Sequence, residues 1–262
     1  MPEQPLISII TVNLNDFEGL KRTMISVFEQ TFKEFEYIVI DGGSTDGSKE
    51  YIEQHTDGID FWVSEKDSGI YNAMNKGIKA ANGEYLLFLN SGDHLFNSEV
   101  LNENNQYLKF YDLIYFNIQV VNKDLKEIIS YPFPLHFANF YYGTLCHQST
   151  LIKRNLFDKI GLYDEQLRIV SDWKFFILAV FKYNCTYRKI NDILATYYLN
   201  GISSDPKNLA LLSEEKKEVL STDFKAFLPE IQELYKLQTL IQNLKKSRKI
   251  KLLIKLRMLN KF

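Results

Sequence analysis

The chain has few of the residues that would indicate a disulfide scaffold or a zinc site. Only two of its 262 residues are cysteine, and Cys146 and Cys185 form no CxxC pair. Two isolated cysteines do not build a disulfide framework, so we expect a reducing, cytoplasmic setting. The four histidines are scattered and form no HExxH or related pattern, which excludes the common zinc-enzyme signatures.

Long apolar segments and the familiar nucleotide-binding loops are also missing. No segment reaches the roughly 18 apolar residues that a membrane-spanning helix needs. The N-terminal MPEQPLISIITV has no basic stretch before its apolar run, so no secretory signal is predicted. Neither GxGxxG nor GxxxxGK[ST] occurs, which disfavours a nicotinamide-dependent dehydrogenase or an ATPase.

The charges are nearly balanced in number but unevenly placed. The formal net charge is −2, and 45% apolar with 24% charged residues is typical of a globular protein. Residues 245–262, however, contain eight Lys or Arg and no acid. The rest of the chain is therefore acidic and a poor electrostatic match for nucleic acid, so no nucleic-acid partner is expected.

Strand-like and helix-like segments alternate through the first ninety or so residues. Short apolar runs predict strands at 6–12, 36–40, 61–64 and 84–89, and helical patterns lie between them at 17–30, 44–54 and 69–81. This alternation predicts a parallel α/β sheet with helices against its faces. Ligands usually bind where the carboxyl ends of such strands meet, and Asn13, Asp41 and Asp93 all emerge there.

The second half is less regular. Its extended segments are predicted at 112–121, 148–152, 186–190 and 193–198, with a helix at 171–182 and a loop at 201–206. A mixed, mainly parallel sheet is therefore expected. We place a domain boundary near residue 205, which separates an α/β domain, residues 1–205, from a helical C-terminal extension, residues 206–262.

Four separated segments resemble those of family 2 glycosyltransferases. They are SIITVNLN at 8–15, FEYIVIDGGSTDGS at 35–48, DSGIYNAMNKGIKAANGEYLLFLNSGD at 67–93 and SDWKFF at 171–176. Their order matches the family, and the resemblance covers about residues 5–200. The third segment is similar to the subgroup that builds bacterial capsular and colanic-acid-type exopolysaccharides. The resemblance implies a GT-A-like fold and an inverting transfer of sugar from a nucleotide-diphosphate donor, a UDP-sugar, to a glycan or a polyprenyl-linked saccharide.

The resemblance also implies which residues bind the donor. Asp41 would accept a hydrogen bond from the nucleobase, with Thr11 and Asn13 on the neighbouring strand end. From the residues alone, Asp41 is also explained as a cap of the following turn or helix, and Asn13 as a turn former. A lysine such as Lys76 is usually solvated. The full implied set is Thr11, Asn13, Asp41, Asp67, Asn75, Lys76, Asn90, Ser91 and Asp93.

Asp93 is expected to hold a divalent cation, Mn²⁺ or Mg²⁺. The adjacent charges of a diphosphate must be neutralised, and a hard cation on a carboxylate does this. The family usually has an Asp-x-Asp-type cluster here, whereas this chain has Asn90-Ser91-Gly92-Asp93 with one acid. One carboxylate suffices when phosphates and waters complete the coordination, so metal affinity should depend on the donor.

Asp172 matches the family position of the catalytic base, which removes the proton of the acceptor hydroxyl. From its position alone, it is equally an acid that interacts with a helix dipole. His147 and Trp173 are expected to line the acceptor site, although each is as readily a structural residue. A catalytic Cys146–His147 pair is disfavoured, because neighbours in a strand point to opposite faces and no third orienting residue is evident.

The basic segment 245–262 has two interpretations. Ile250, Leu253, Ile254 and Met258 fall on one helical stripe, which fits either a helix packed on protein or one lying on an anionic membrane. The second would place the protein on the inner face of the cytoplasmic membrane, beside a lipid-linked acceptor.

Two other functions remain open. A sugar nucleotidyltransferase shares this kind of sheet but needs a basic, Gly-rich loop after the first strand, where this chain has Asn13-Leu14-Asn15-Asp16. A non-catalytic relative that binds a donor or partner in a polysaccharide assembly complex would fit the reduced acidic cluster. The retention of both Asp93 and Asp172 argues against it.

Overall fold

The computed structural model describes residues 4–123, 125–199, 201–256 and 258–259. It forms two compact units, Met1–Ser213 and Glu214–Phe262. The strands of the first unit are β1 (Ile7–Asn13), β2 (Phe35–Asp41), β3 (Phe61–Ser64), β4 (Tyr85–Phe88), β5 (His94–Leu95), β6 (Leu113–Asn122), β7 (Leu125–Ile129), β8 (Thr150–Lys153) and β9 (Tyr187–Tyr198). Its helices are α1 (Phe17–Phe28), α2 (Ser48–Gln54), α3 (Ile70–Ala80), α4 (Val100–Asn104), α5 (Phe137–Tyr142), α6 (Asn155–Ile160) and α7 (Ser171–Phe181).

The first four strands form where the sequence predicts them, because each is a short apolar run. All residues of β1 and β4 are buried, as expected for central strands covered on both faces. Helix α1 begins at Asp16, whose carboxylate accepts a hydrogen bond from the backbone N–H of Gly19 (3.2 Å). Its buried residues Leu20, Met24 and Val27 follow helical spacing and face the sheet core.

The sheet has the order β3-β2-β1-β4-β8-β6-β9-β5, and β7 pairs with β6. Strands β1 to β4 are mutually parallel, whereas β8 is antiparallel to both β4 and β6. Helices flank this mixed sheet, which confirms the predicted fold class. Antiparallel pairings are nevertheless as frequent as parallel ones among the described strands, so the parallel character is confined to the first half and the β6–β9 pair.

The irregular second half departs from the prediction in two places. The segments predicted separately at 186–190 and 193–198 form one strand, β9, whose pairing with β6 contains an irregularity near Asn117. The predicted strand at 148–152 begins instead with a 3-10 turn, His147–Ser149, before β8. This turn places His147 at the start of β8, beside the carboxyl end of β4.

The C-terminal region is helical, as predicted. Helix α8 (Leu209–Asp223) spans the boundary, which falls after Ser213 instead of near residue 205. Within the second unit follow α9 (Leu228–Lys246) and α10 (Arg248–Lys255). Because α10 ends at Lys255, Met258 is not part of the helical stripe, and Arg257 lies outside the described residues. Among the helices described, none combines the length and apolarity needed to cross a membrane.

Glu36 joins the amino-terminal ends of the central strands. This buried carboxylate accepts hydrogen bonds from Ser8 Oγ (2.5 Å) in β1 and from the backbone N–H of Gly83 (3.0 Å) before β4. The backbone N–H and the side-chain amide of Asn82 donate to it as well. Glu36 therefore holds the starts of β1, β2 and β4 in register.

We expect Glu36→Ala to lower the free energy of unfolding by about 3 kcal/mol, because several buried donors would lose their acceptor. Urea unfolding, followed by the fluorescence of Trp62 and Trp173, measures the change. The matched control is Glu34→Ala, an exposed acid at the start of the same strand, which should change this free energy by less than about 0.5 kcal/mol. Equal effects of the two substitutions would contradict the role of Glu36.

Candidate functional site

Asp41 ends β2, and its carboxylate is saturated by internal hydrogen bonds. Oδ1 accepts from Asn13 Nδ2 (2.8 Å) and Ser44 Oγ (2.6 Å), and Oδ2 accepts from Ser64 Oγ (2.6 Å) and the backbone N–H groups of Gly43 (3.2 Å) and Ser44 (2.9 Å). Burial alone would raise the pKa of Asp41, but these bonds lower it. Asp41 is fully buried and these bonds use its acceptor positions, so its contact with a nucleobase stays a prediction that would need some of them to be exchanged.

Thr11 and Asn13 are also structural. Thr11 is fully buried and accepts a hydrogen bond from Tyr37 Oη (3.0 Å), and Asn13 is 4% exposed with its amide bound to Asp41 and Ser44. The hydrogen bonds of both side chains brace the end of β1 against β2, while Asn13 Oδ1 is buried without a hydrogen-bond partner. The contact of these two residues with the nucleoside stays a prediction.

Asp67 lies over Gly42, the residue directly after β2. A Cβ atom at Gly42 would stand 2.5 Å from Asp67 Oδ2, so the carboxylate takes the space that a side chain would fill. The backbone N–H of Gly69 donates to Asp67 Oδ1 (3.0 Å). Asp67 is only half-buried. Its carboxylate is therefore accessible on the side where the sequence predicts the donor nucleoside.

Asn75 and Lys76 in α3 differ in what they can contact. Asn75 is buried and donates to Tyr163 O (2.9 Å) and Glu165 Oε1 (2.9 Å), while its own Oδ1 accepts from Tyr163 N (3.0 Å). These bonds hold the 163–165 loop, and the donor contact of Asn75 stays a prediction. Lys76 is partly exposed and forms an ion pair with the exposed Glu65 (2.8 Å).

The loop after β4, Asn90-Ser91-Gly92-Asp93, is a tight turn anchored on α1. The backbone N–H of Asp93 donates to Asn90 O (3.1 Å), and Gly92 has a φ of 97°, which favours glycine. Thr23 Oγ1 donates to Asp93 O (2.6 Å) and accepts from Gly92 N (3.1 Å). Ser91 and Asn90 remain half-buried and are the accessible residues of the turn.

The Asp93 carboxylate points inward. Oδ2 accepts from Gln148 Nε2 (2.9 Å) and Oδ1 from the backbone N–H of Tyr198 (3.2 Å), and the residue is 4% exposed. Burial raises the pKa of Asp93 to about 6, although these two bonds oppose the rise. Asp93 therefore titrates near neutral pH.

The turn offers one carboxylate to a metal ion. Both oxygens of Asp93 accept hydrogen bonds, and Asn90, Ser91 and Gly92 supply no second carboxylate. Across the described part of the chain, no three His, Cys, Asp or Glu side chains come together as metal ligands. A cation on Asp93 would therefore need the donor phosphates and water to complete its oxygen ligands, and its binding stays a prediction.

Asp172 lies at the start of α7 between His147 and Tyr71. His147 Nδ1 is 3.0 Å from Asp172 Oδ2, and Tyr71 Oη is 2.9 Å from Oδ1. Burial alone would raise the pKa of Asp172, but the hydrogen bonds from these two residues outweigh it and lower the pKa. Asp172 is thus ionised at neutral pH, and 15% of its side chain is exposed.

The acids Asp93 and Asp172, predicted to share a site, are connected through adjacent residues. His147 contacts Asp172 and Gln148 binds Asp93, and both belong to the 3-10 turn before β8. Sequence reasoning assigned no role to Gln148 or Tyr71. The available signals were the position of Tyr71 inside the DSGIYNAMNKG segment and that of Gln148 beside His147.

Two further predictions concern buried residues. Trp173 is 2% exposed, and its Nε1–H donates to Phe140 O (2.8 Å). It lies in the core in this structure, and its contact with the acceptor stays a prediction. Burial raises the pKa of Cys146 to about 11, which leaves its thiol protonated and unreactive. A Cys146–His147 pair is thereby excluded, although the residues lie at a 3-10 turn and not in a strand.

A cavity of about 250 Å³ opens beside the Tyr71 contact. Its walls are the start of α3, the segment 165–169 and the residues Ile202, Asn208 and Leu211. Ile169 O accepts a hydrogen bond from Tyr71 Oη (2.6 Å), the same hydroxyl that contacts Asp172. Tyr71 therefore lines this cavity, which has apolar and polar walls, and also contacts the Asp172 carboxylate.

Comparisons with known proteins agree on one family. Residues 8–161 match the family described as glycosyl transferase family 2. An uncharacterized glycosyltransferase of Mycobacterium tuberculosis (strain ATCC 25618 / H37Rv) is 32% identical over 225 residues, 83% of this chain and 84% of that protein. A PGL/p-HBAD biosynthesis glycosyltransferase of Mycobacterium bovis (strain BCG / Pasteur 1173P2) is 27% identical over 199 residues, 74% of this chain and 77% of that protein.

The fold has solved counterparts. The crystal structure of S. aureus TarS 1-349 in complex with UDP-GlcNAc superposes with a TM-score of 0.61 at 20% identity. The match covers 74% of this chain and 58% of that one, so this chain spans little more than half of the TarS structure. The likeness establishes a GT-A-like fold.

The raised pKa of Asp93 predicts a pH-dependent difference in stability. The pKa of Asp93 in the folded chain, about 6, lies above the ordinary value of 3.8. Its contribution to the free energy of unfolding is therefore complete below pH 3.8 and is lost as the pH rises through 6. Asp93→Asn removes this titration. We compare the free energy of unfolding of the variant with that of the native chain at two pH values. This difference should be about 1 kcal/mol more in favour of the variant at about pH 7.5 than at about pH 5. Urea unfolding at both pH values measures it, and a constant difference would contradict the assignment.

Proposed function

Because the chain belongs to glycosyl transferase family 2 and is a glycosyltransferase, we propose that it transfers a sugar from a UDP-sugar to a hydroxyl of a glycan or lipid-linked saccharide, with inversion, in cell-surface polysaccharide synthesis. The observation that carries this proposal is the ionised, partly exposed Asp172, which lies beside a cavity and is linked through His147 to the loop after β4. Family membership argues against a sugar nucleotidyltransferase.

Asp172 is proposed as the general base. As the acceptor oxygen attacks the anomeric carbon, the bond from that carbon to the diphosphate breaks and the hydroxyl proton passes to Asp172. A single displacement inverts the anomeric centre and needs no protein nucleophile. The lowered pKa keeps Asp172 unprotonated before the reaction. It accepts the proton because the hydroxyl becomes far more acidic as the new bond forms.

The cavity beside Tyr71 is proposed to receive the acceptor. It adjoins the hydroxyl that contacts Asp172, and its walls combine apolar Leu167 and Ile202 with polar Asn72 and Asn208. Such mixed walls suit a saccharide ring, which presents both C–H faces and hydroxyls. His147, 12% exposed beside Asp172, would also contact the acceptor.

The donor contacts are proposed for the predicted residues that stay accessible. Asp67 would accept a hydrogen bond from the nucleobase, in place of the saturated Asp41. Lys76 would exchange its exposed partner Glu65 for the diphosphate. Asn90 and Ser91 would contact the sugar end of the donor. Support for uridine comes from the TarS complex with UDP-GlcNAc, and support for glycan synthesis from the PGL/p-HBAD relative.

No metal-dependent step is assigned, because Asp93 is the one acid of the turn and a cation there would need ligands from the donor. Binding of the donor is the direct test of the predicted Mn²⁺ or Mg²⁺. Thermal shifts with UDP-, GDP-, CMP- and dTDP-sugars, each with and without Mn²⁺, report any ligand that prefers the folded state. We expect UDP-sugars to raise the unfolding temperature.

Asp172→Asn tests the proposed base. We expect it to lower sugar transfer by about 10²- to 10⁴-fold, because the proton acceptor is lost, and to leave the donor-induced thermal shift unchanged. Release of UDP from UDP-sugars with saccharide acceptors measures transfer. Asp158→Asn, an exposed acid of the same unit, is the matched control and should keep native turnover. Undiminished transfer by Asp172→Asn would refute the assignment.

Helix α10 is proposed to lie on an anionic membrane surface. Ile250, Leu253 and Ile254 share one side of this helix, and its basic residues are exposed. A surface-lying helix of this kind would keep the enzyme on the inner face of the cytoplasmic membrane, close to a lipid-linked acceptor.

The membrane proposal predicts charge-dependent vesicle binding. Each basic residue near anionic lipid contributes about 1 kcal/mol, so the triple variant K249E/K251E/K255E should lose at least about 100-fold in partitioning to phosphatidylserine-containing vesicles. The control K21E/K33E/K109E changes the net charge equally at exposed lysines elsewhere and should bind like the native chain. Equal loss in both variants would indicate a net-charge effect and refute the role of α10.

A further inference from the structure

His147 bridges the two sides of the site. Its Nδ1 is 3.0 Å from Asp172 Oδ2 at the start of α7, and its Nε2 is 3.1 Å from Asn90 Nδ2 in the turn after β4. The imidazole side chain is 12% exposed, and its ring meets Phe88 edge to face. One side chain therefore contacts both the proposed base and the loop proposed to meet the donor sugar.

The contact with Asp172 determines the position of one imidazole proton. An ionised carboxylate only accepts hydrogen bonds, so His147 Nδ1 carries a proton and donates it to Asp172. With the Asn90 amide as placed, Nδ2 donates to Nε2; with the amide turned over, the buried Asn90 Oδ1, which has no other partner, would accept from Nε2–H. In both orientations His147 links Asn90 to the carboxylate, and the bond at Nδ1 favours the ionised acid.

The turn that carries His147 is itself tied to the same loop. Gln148, the next residue, donates to Asp93 Oδ2 (2.9 Å). The turn is closed by Thr150 Oγ1, which donates to Cys146 O (2.9 Å). Residues 147 and 148 thus contact both ends of the Asn90–Asp93 turn, so that the positions of the turn and of Asp172 are coupled.

We propose that His147 is a positioning residue that aims the Asp172 carboxylate and couples it to the donor loop through Asn90. The inference rests on the proposed role of Asp172 as base. His147 is not the proton acceptor, because both of its ring nitrogens are engaged, Nδ1 by Asp172 and Nε2 by Asn90. The bond at Nδ1 sets the orientation of the base, and the bond at Nε2 sets the position of the loop.

Two amide variants separate these bonds. In His147→Asn the side-chain nitrogen falls near the position of Nδ1, so the bond to Asp172 is kept and the bond to Asn90 is lost. In His147→Gln the longer amide reaches the Nε2 position, so the bond to Asn90 is kept and the bond to Asp172 is lost. The full chain is assayed by UDP release, with kcat and the KM for the donor measured separately.

We expect opposite kinetic signatures. His147→Gln should lose kcat by about 100-fold with little change in the donor KM, since a misplaced reacting group has an effect of this size. His147→Asn should keep kcat within about fivefold and raise the donor KM by about fivefold, because only the loop is released. A folding defect would also lower kcat without changing KM, so urea unfolding of each variant measures its folded fraction. A His147→Gln chain that is fully folded and still loses kcat supports the inference, whereas a loss of kcat that matches the loss of folded chain overturns it.

Three other results would overturn the inference. His147→Asn as inactive as Asp172→Asn would make His147 the proton acceptor. Native kinetics in both variants would make its role structural only. Equal losses of kcat at unchanged KM in both variants would mean that the two bonds have no separate functions. A fully active Asp172→Asn, by contrast, would refute the proposed base itself, so the two failures are distinguishable.

Discussion

Asp41 and Asp93 are buried at one end of this sheet and Asp172 is largely buried beside them, and an ionised acid with so little water is stable only when hydrogen bonds replace the lost water. Asp41 has five such bonds and Asp172 is held by His147 and Tyr71, so the pKa of each falls below its usual value. Asp93 has two bonds and a pKa of about 6, because burial outweighs them. To supply these donors, the strand ends, the start of α7 and the loop after β4 must converge, and their convergence forms the candidate site.

The same constraint separates residues that build the site from those free to contact a ligand. Asp41, Thr11, Asn13 and Asn75 use their polar atoms within the protein or lie out of reach of a ligand, although their types suit a donor nucleotide. The side chains that stay accessible are instead those with few hydrogen bonds inside the protein. Asp67 illustrates this difference, because the missing side chain at Gly42 lets its half-buried carboxylate come to the end of β2.

Coupling between the two halves of the chain depends on one short turn. The 3-10 turn His147–Ser149 precedes β8, which inserts antiparallel between β4 and β6 and thereby joins the parallel and mixed parts of the sheet. Its side chains reach Asn90, Asp93 and Asp172. A turn so placed links a loop of the first half to the start of α7 in the second, which is the connection that a displacement reaction between two bound substrates requires.

Local sequence patterns determined the central strands, the alternating helices, the family and the identity of Asp172 as an acid at a helix start. These features follow from short-range periodicity and from motif segments that are contiguous in the chain. Only the tertiary structure decided that Asp41 is hydrogen bonded within the protein, that Trp173 is a core residue, that the Asp93 carboxylate points inward, and that His147 meets both Asn90 and Asp172. Those outcomes depend on burial and on hydrogen bonds between residues far apart in the chain, as with Tyr71 and Asp172, which no local pattern encodes.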